Sequence, residues 1–309
     1  MVPKLKNKQS ITIDIPCTTI RQTKLKLNID CWYVRSTKDE STEVFHAHET
    51  ERHKIDILCL SKCGFSAKVV SASHSLQQFC LFYSGVENNL GLHGAGFLLS
   101  QRARNDLLEW EPIFPRLAKI RSKGSQASKS VLSAYTPTRD ALDETKNDFY
   151  TELQTVTSAI AARDYLIVAG DFNARVVPKD QTTSKVLGNF GLGQHCKNGE
   201  RLVNYALMNQ LTVSNTVFQH KPSHLITWYS SDGVTKAQID YELIRQRWRS
   251  SVLDSRSIKG ADTGSKSGSD HKLIITKILL VLQYVERIKQ NLALIAVNSR
   301  MKQSNMPSF

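Results

Sequence analysis

The chain is poor in features that would commit it to a metal-knuckle, secreted or membrane class. It has only six cysteines in 309 residues, and none form a Cys-x-x-Cys pair. Cys59 and Cys63 are spaced too widely, and no Cys/His set follows, so a zinc site is not expected. Cys31 and Cys59 lie in apolar stretches and read as buried thiols. Met1 to Ser10 is basic and polar, without the apolar centre of a signal peptide. The run from Ile278 to Val285 is apolar but far short of the roughly 20 residues a membrane helix needs. A nuclear or cytoplasmic protein is therefore expected, neither secreted nor membrane-spanning. Internal repeats are absent. Acidic residues are scarce, with 28 Asp and Glu against 41 Lys and Arg, a formal charge of +13. That balance points to an anionic partner, nucleic acid first and an acidic membrane second. The length and the 40% hydrophobic fraction allow one large α/β domain with tails.

The most informative stretch runs from Tyr165 to Ala174, Tyr-Leu-Ile-Val-Ala-Gly-Asp-Phe-Asn-Ala. Tyr165 to Val168 reads as a buried strand. Asp171 and Asn173 are two residues apart, so in an extended backbone they project to the same side of the strand end. Such ends face the clefts of open α/β sheets. An acid that takes a proton, beside an amide that holds an oxyanion, suits phosphate-ester hydrolysis. Turn chemistry alone is the plainer reading. Two later segments bear on the choice. Gln238-Ile239-Asp240-Tyr241 opens an apolar run to Ile244; Ile226 to Tyr229 and the turn Ser230-Ser-Asp-Gly233 precede it, and the unit reads as a hairpin. Ser269-Asp270-His271 stands just ahead of another apolar run, Leu273 to Ile278.

The order Gly-Asp-x-Asn, Ile-Asp-Tyr, Ser-Asp-His resembles the endonuclease/exonuclease/phosphatase superfamily, whose members cleave phosphoester bonds with a divalent metal. Gly199-Glu-Arg-Leu202, Thr227-Trp228, Gln238 to Tyr241, Arg247-Trp-Arg-Ser-Ser251 and Gly260-Ala-Asp262 are similar to the endonuclease domain of non-LTR retrotransposons, especially the stand-alone craniofacial development protein 2-like group. The resemblance runs from about Ile29 to Ile278 and is specific from Ser130 onward. It implies a DNase I-like, four-layer sandwich in which two mixed β-sheets are flanked by helices. It implies a DNA partner, or RNA, with Mg²⁺ or Mn²⁺ if the chain is active. Ser133 to Thr138 matches the family's Tyr-x-Pro motif, so Tyr135 would contact phosphate. Asp171 would activate water and Asn173 would hold the phosphate. Asp240 would orient and charge His271, which would steady the pentavalent transition state, and Asp270 would help hold the metal. A carboxylate partner does favour protonated histidine.

The N-terminal half departs from the family pattern. Cys31-Trp-Tyr-Val-Arg35 puts Tyr33 where the family has Asn. Ile57 to Cys63 puts Lys62 at the place of the metal-binding Glu. An ammonium cannot coordinate Mg²⁺, and the local charge moves by about two units against a dication. Glu49, Glu51 and Asp56 are the nearby acids that could serve instead. Asp56 precedes its strand, and Glu49 and Glu51 fall in a polar, helical stretch. A Gly/Ser insertion, Thr263 to Ser269, separates Gly-Ala-Asp from Ser-Asp-His and would loosen Asp270 and His271.

Three segments are expected: a basic leader over 1–28 with an edge strand at Ile11 to Ile15, the endonuclease-like domain over 29–280, and a tail over 281–309. The tail carries a helical stripe, Val285, Ile288, Leu292 and Ile295, within Gln283 to Val297. Strand-like runs cover Cys31 to Val34, Ile55 to Leu60, Phe79 to Tyr83 and Ala95 to Leu99. Leu142 to Ile160 has helical spacing with Asp140 as its N-cap, and Arg201 to Asn209 makes a shorter helix. No reverse transcriptase segment follows, which ties any retroelement link to an isolated endonuclease domain.

Overall fold

The computed structural model describes residues 18–34, 40–64, 68–71, 79–85, 93–124, 127–194, 196–261 and 269–287. The chain forms two units, Leu25–Leu280 and a smaller one made of Met1–Lys24 with Val281–Phe309. In the smaller unit the described residues, 18–24 and 281–287, are strand.

In chain order the elements are β1 (Thr18–Tyr33), α1 (Glu40–Arg52), β2 (Ile57–Ser61), β3 (Lys68–Ser71), β4 (Phe79–Ser84), β5 (Ala95–Ser100), α2 (Gln101–Asn105), β6 (Leu107–Phe114), β7 (Leu117–Ser122), β8 (Lys129–Tyr135), α3 (Asp143–Ala159), β9 (Tyr165–Asp171), α4 (Lys197–Met208), β10 (Leu211–Val213), β11 (Trp228–Tyr229), β12 (Lys236–Ala237), β13 (Asp240–Arg245), β14 (Val252–Ser257) and β15 (Ile274–Arg287). One sheet has the order β14-β15-β1-β2-β5-β4-β3 and the other β10-β13-β9-β8-β7-β6; β11 and β12 form a separate ribbon.

The two large sheets face each other across a shared apolar core. Ile29, Cys31, Cys59, Phe97 and Leu99 meet Ile120, Val131, Ile167 and Ile244 there. The outer face of the six-stranded sheet carries Leu132, Leu166, Val168 and Leu243, covered by Phe149 and Leu153 of α3 and Leu202 and Tyr205 of α4. The outer face of the other sheet carries Trp32, Leu58, Leu60 and Leu98, packed with Ala47 of α1. Helix, sheet, sheet, helix make four layers. A strand covered on both faces loses the polar alternation of a surface strand, and β9 is buried at every position.

Several local expectations are corrected. The hairpin after Ile226 closes β11 onto β12, whereas β13 leaves it to pair with β9 and β10. The N-cap of α3 is Leu142, with no side-chain cap bond, so Asp140 lies two residues too early. Residues 283–287 continue β15 instead of starting a helix; the β-favouring run Val281, Tyr284, Val285 suits the strand. The rest of that expected helix, the strand at Ile11 to Ile15 and insertion residues 263–268 lie outside the described residues. Among the described residues no helix is long and apolar enough to cross a membrane.

Candidate active site

Register assembles the site. The parallel pairing of β8 with β9 sets Tyr135 beside Asp171. The antiparallel pairing of β9 with β13 sets Asp171 beside Asp240. Three functional groups thus sit at the ends of three adjacent strands. Gly170 makes the first pairing close: at φ +146 its α-carbon faces Ala134, and an added Cβ would stand 1.9 Å from the Ala134 carbonyl oxygen. Only glycine fits that approach.

His271 enters just ahead of β15 and bridges to Trp228. Its Nδ1 lies 2.9 and 3.1 Å from the two carboxylate oxygens of Asp240. The indole Nε1 of Trp32 donates to the His271 carbonyl oxygen at 3.4 Å, which ties the segment to β1. Asp240 is itself fixed through its backbone, whose N–H donates to the Thr227 hydroxyl at 3.2 Å. Asn173 takes a left-handed conformation, φ +46. Its backbone N–H donates to Asp171 Oδ1 at 2.9 Å, and its Nδ2 donates to the Thr136 carbonyl oxygen at 2.9 Å.

Burial and charge set the protonation states. Burial pushes His271 down, but the Asp240 carboxylate in contact with it outweighs burial and raises it to about 9. The imidazolium is therefore the resting form at neutral pH. Burial, with Asp240 beside it, pushes Asp171 up to about 7, against the pull of His271 and the Asn173 N–H. Burial raises both Tyr33 and Tyr135, so they remain neutral phenols.

Tyr33, Tyr135, Asp171, Asn173, Asp270 and His271 line one cleft of about 660 Å³, with Arg139, Arg175, Cys196 and Trp228 on its walls. Asp240 is buried behind His271. Sequence reasoning gave no role to four supporting residues. Trp228 Nε1 donates to Asp270 Oδ2 at 3.2 Å. Arg116 holds its guanidinium 4.6 Å from the Tyr135 ring centroid and donates to the Tyr135 carbonyl oxygen at 3.3 Å. Buried Asn198 donates through Nδ2 to the carbonyl oxygens of Asn173, at 3.1 Å, and Pro137, at 3.3 Å. Thr227 completes the set. Trp228 and Thr227 belong to a motif the sequence did display; Arg116 and Asn198 carry no local signal.

The two departures meet in space. Tyr33 ends β1, and its ring lies on His271 with centroids 4.1 Å apart and planes 16° from parallel. It meets Tyr135 edge to face at 5.8 Å. Lys62 follows β2 with φ +60, and its ammonium stands 5.6 Å from the Tyr33 ring centroid. The neighbouring Ser61 hydroxyl accepts from the Asp171 N–H at 3.4 Å. The alternative acids are elsewhere, and two of them are engaged. Glu49 is buried in α1 between Arg52 and His53, Glu51 is exposed, and Asp56 pairs with Arg102 at 2.6 Å.

The divalent cation implied by the resemblance can be tested against these donors. Asp171, Asp240 and His271 each offer an atom within 4.8 Å of the others. Yet His271 Nδ1 is taken up by the Asp240 oxygens in a hydrogen bond, and Asp270 accepts from an indole. Mg²⁺ and Mn²⁺ favour oxygen donors. With an ammonium at position 62, the residues present do not make that shell.

The family model described as "Endonuclease-reverse transcriptase" matches residues 130–275, the stretch where the motifs are densest. Craniofacial development protein 2 of Bos taurus is 32% identical over 92% of this chain and 46% of its own length. That of Tragulus javanicus is 31% identical over 92% of this chain and 48% of its own length. The chain thus spans about half the length of these relatives. Among solved structures, the endonuclease domain of TRAS1, a telomere-specific non-LTR retrotransposon, superposes with a TM-score of 0.58 at 14% identity, covering 82% of this chain and 98% of that one. An AP endonuclease from Archaeoglobus fulgidus gives 0.60 at 14% identity, covering 81% and 98%. Two facing mixed sheets, the strand-end acids and these likenesses converge: the chain carries the DNase I-like fold of the endonuclease/exonuclease/phosphatase superfamily, and its sequence is similar to craniofacial development protein 2.

Proposed function

We propose that the chain is a retroelement-derived, endonuclease-like phosphodiesterase that acts on DNA and whose hydrolysis is impaired at the cation site. The observation that carries this reading is the pair Lys62 and Tyr33, which stands where the resemblance calls for a carboxylate and an amide. The remaining groups suit phosphoester chemistry. Asp171 is a buried acid that accepts a proton from water. Asn173 and Tyr135 present donors to phosphate oxygens. Asp240 keeps His271 charged against the negative charge that builds on the pentavalent phosphorus. The excess of basic residues suits a nucleic acid, DNA or RNA, better than a small phosphate ester, and a nuclear or cytoplasmic location is part of the same proposal. The second reading, favoured by the same pair, is a non-catalytic nucleic-acid-binding remnant.

The test is nicking of supercoiled plasmid in Mg²⁺ or Mn²⁺, run beside DNA binding. Binding with little or no nicking is expected. Robust nicking by the unaltered chain would overturn the impairment; absence of both binding and nicking would overturn the nucleic-acid reading.

A further inference from the structure

Each tyrosine of the cleft floor has a cation set over its ring. Lys62 Nζ lies 5.6 Å from the Tyr33 centroid and Arg116 Cζ 4.6 Å from the Tyr135 centroid. The two rings meet edge to face, at 67°. The Lys62 backbone and the Arg116 guanidinium each have a carbonyl partner. The N–H of Lys62 donates to the Gly94 carbonyl oxygen at 2.7 Å, and the guanidinium of Arg116 donates to the Tyr135 carbonyl oxygen. The acids nearby have donors of their own: Asp240 has His271, Asp171 has the Asn173 N–H and Asp270 has Trp228. Among the described residues no carboxylate lies within ion-pair distance of Lys62.

Two neutral phenols, each with a cation beside its ring, are complementary to a phosphate oxygen, which accepts hydrogen bonds and carries negative charge. We propose that Lys62, Tyr33 and Arg116, with Tyr135, form a plate that binds a backbone phosphate of nucleic acid without any divalent cation. The inference rests on the reading that the cleft meets nucleic acid; it adds that the protein's own ammonium supplies the positive charge. The site has exchanged a removable ion for a covalently attached one. Arg139 and Arg175 line the same cleft and add positive charge to it.

The experiment titrates a short fluorescein-labelled DNA duplex by anisotropy in EDTA and in Mg²⁺, over a range of salt, for the unaltered chain, Lys62→Met, Lys62→Arg and Lys62→Glu. The unaltered chain is expected to bind equally in both buffers. Lys62→Met weakens binding several-fold and lowers the slope of log affinity against log salt by about one, the signature of one lost phosphate contact. Lys62→Arg keeps the charge and keeps the binding, which separates lost contact from misfolding. Lys62→Glu abolishes binding in EDTA and regains part of it in Mg²⁺. Binding by Lys62→Met with unchanged affinity and slope, or binding by the unaltered chain only in Mg²⁺, overturns the plate while leaving the nucleic-acid reading intact. No binding in any buffer overturns both.

Discussion

Tyr33 lies flat on His271, 4.1 Å from centroid to centroid, so the one protonated imidazole of the cleft is faced by an aromatic ring where the resemblance calls for a short amide. A ring over imidazolium is favourable as a cation–π contact. It also occupies volume that an amide would leave open beside the phosphate.

The paired reversal Lys62→Glu with Tyr33→Asn is therefore expected to raise Mg²⁺-dependent plasmid nicking from near background to a readily measured rate. Glu returns an oxygen ligand and removes the ammonium; Asn returns a compact hydrogen-bonding group. Adding His271→Ala to the reversed chain should abolish the gain. If the paired reversal gives nothing, deletion of the insertion 263–269 in that background decides whether the segment before Asp270 and His271 is at fault.

Affinity for DNA should fall steeply as salt rises, with a slope of roughly −0.9 per phosphate contacted, because bound Lys and Arg displace counterions. Duplexes of different sequence should bind alike, since phosphate contacts carry no sequence information. Fluorescence anisotropy across a salt series checks both; a salt-independent affinity would contradict the charge argument.

Asp240→Asn should collapse the charge state of His271. Without the carboxylate, burial is the dominant influence and the imidazole loses its proton well below the present value of about 9. NMR titration of the His271 ring reads this directly. Breaking a buried pair of this kind costs about 3 to 5 kcal/mol in stability. The sign with pH follows from linkage: the folded value of about 9 exceeds the ordinary 6.5. This pair's stabilisation is complete below pH 6.5 and disappears as pH rises through 9.

His46 gives the opposite pH dependence. It is buried in α1, meets the Trp32 ring edge to face at 5.5 Å, and its Nε2 has no hydrogen-bond partner. Burial lowers it from 6.5 to about 4. Between those values the unfolded chain binds more protons, so stability falls as pH drops from 6.5 toward 4. His46→Phe should keep the aromatic contact and shrink the loss of melting temperature between about pH 7 and about pH 5. Equal losses in both chains would show that His46 is not the group responsible.

The strand ends were legible because their signals are local. Tyr165 to Val168 is an uninterrupted apolar run, and Gly-Asp-x-Asn marks where it stops. What was illegible depends on pairing between distant segments. β1 begins at Thr18, and its alternation Lys24-Leu-Lys-Leu-Asn-Ile29 is half polar, so only its apolar end stood out. Residues 283–287 fit a helical stripe taken alone, yet they continue a strand. Asp240 looked like the far arm of a hairpin; its partner is Asp171, about seventy residues earlier in the numbering. Arg116 and Asn198 act on backbone carbonyls of the site, and nothing in their sequence neighbourhood announces that.

The parallel pairing of β1 with β2 sets Tyr33 opposite Ser61, one residue before Lys62. The two altered positions are thus neighbours at adjacent strand ends, and each is part of the other's surroundings. A Glu at 62 beside the Tyr33 ring would put a carboxylate against an electron-rich face, and an Asn at 33 would leave the Lys62 ammonium without that face. Either single reversal passes through a mismatched pair. The two positions are therefore expected to couple: the effects of Lys62→Glu and Tyr33→Asn should not add, and a double-mutant cycle reads the difference.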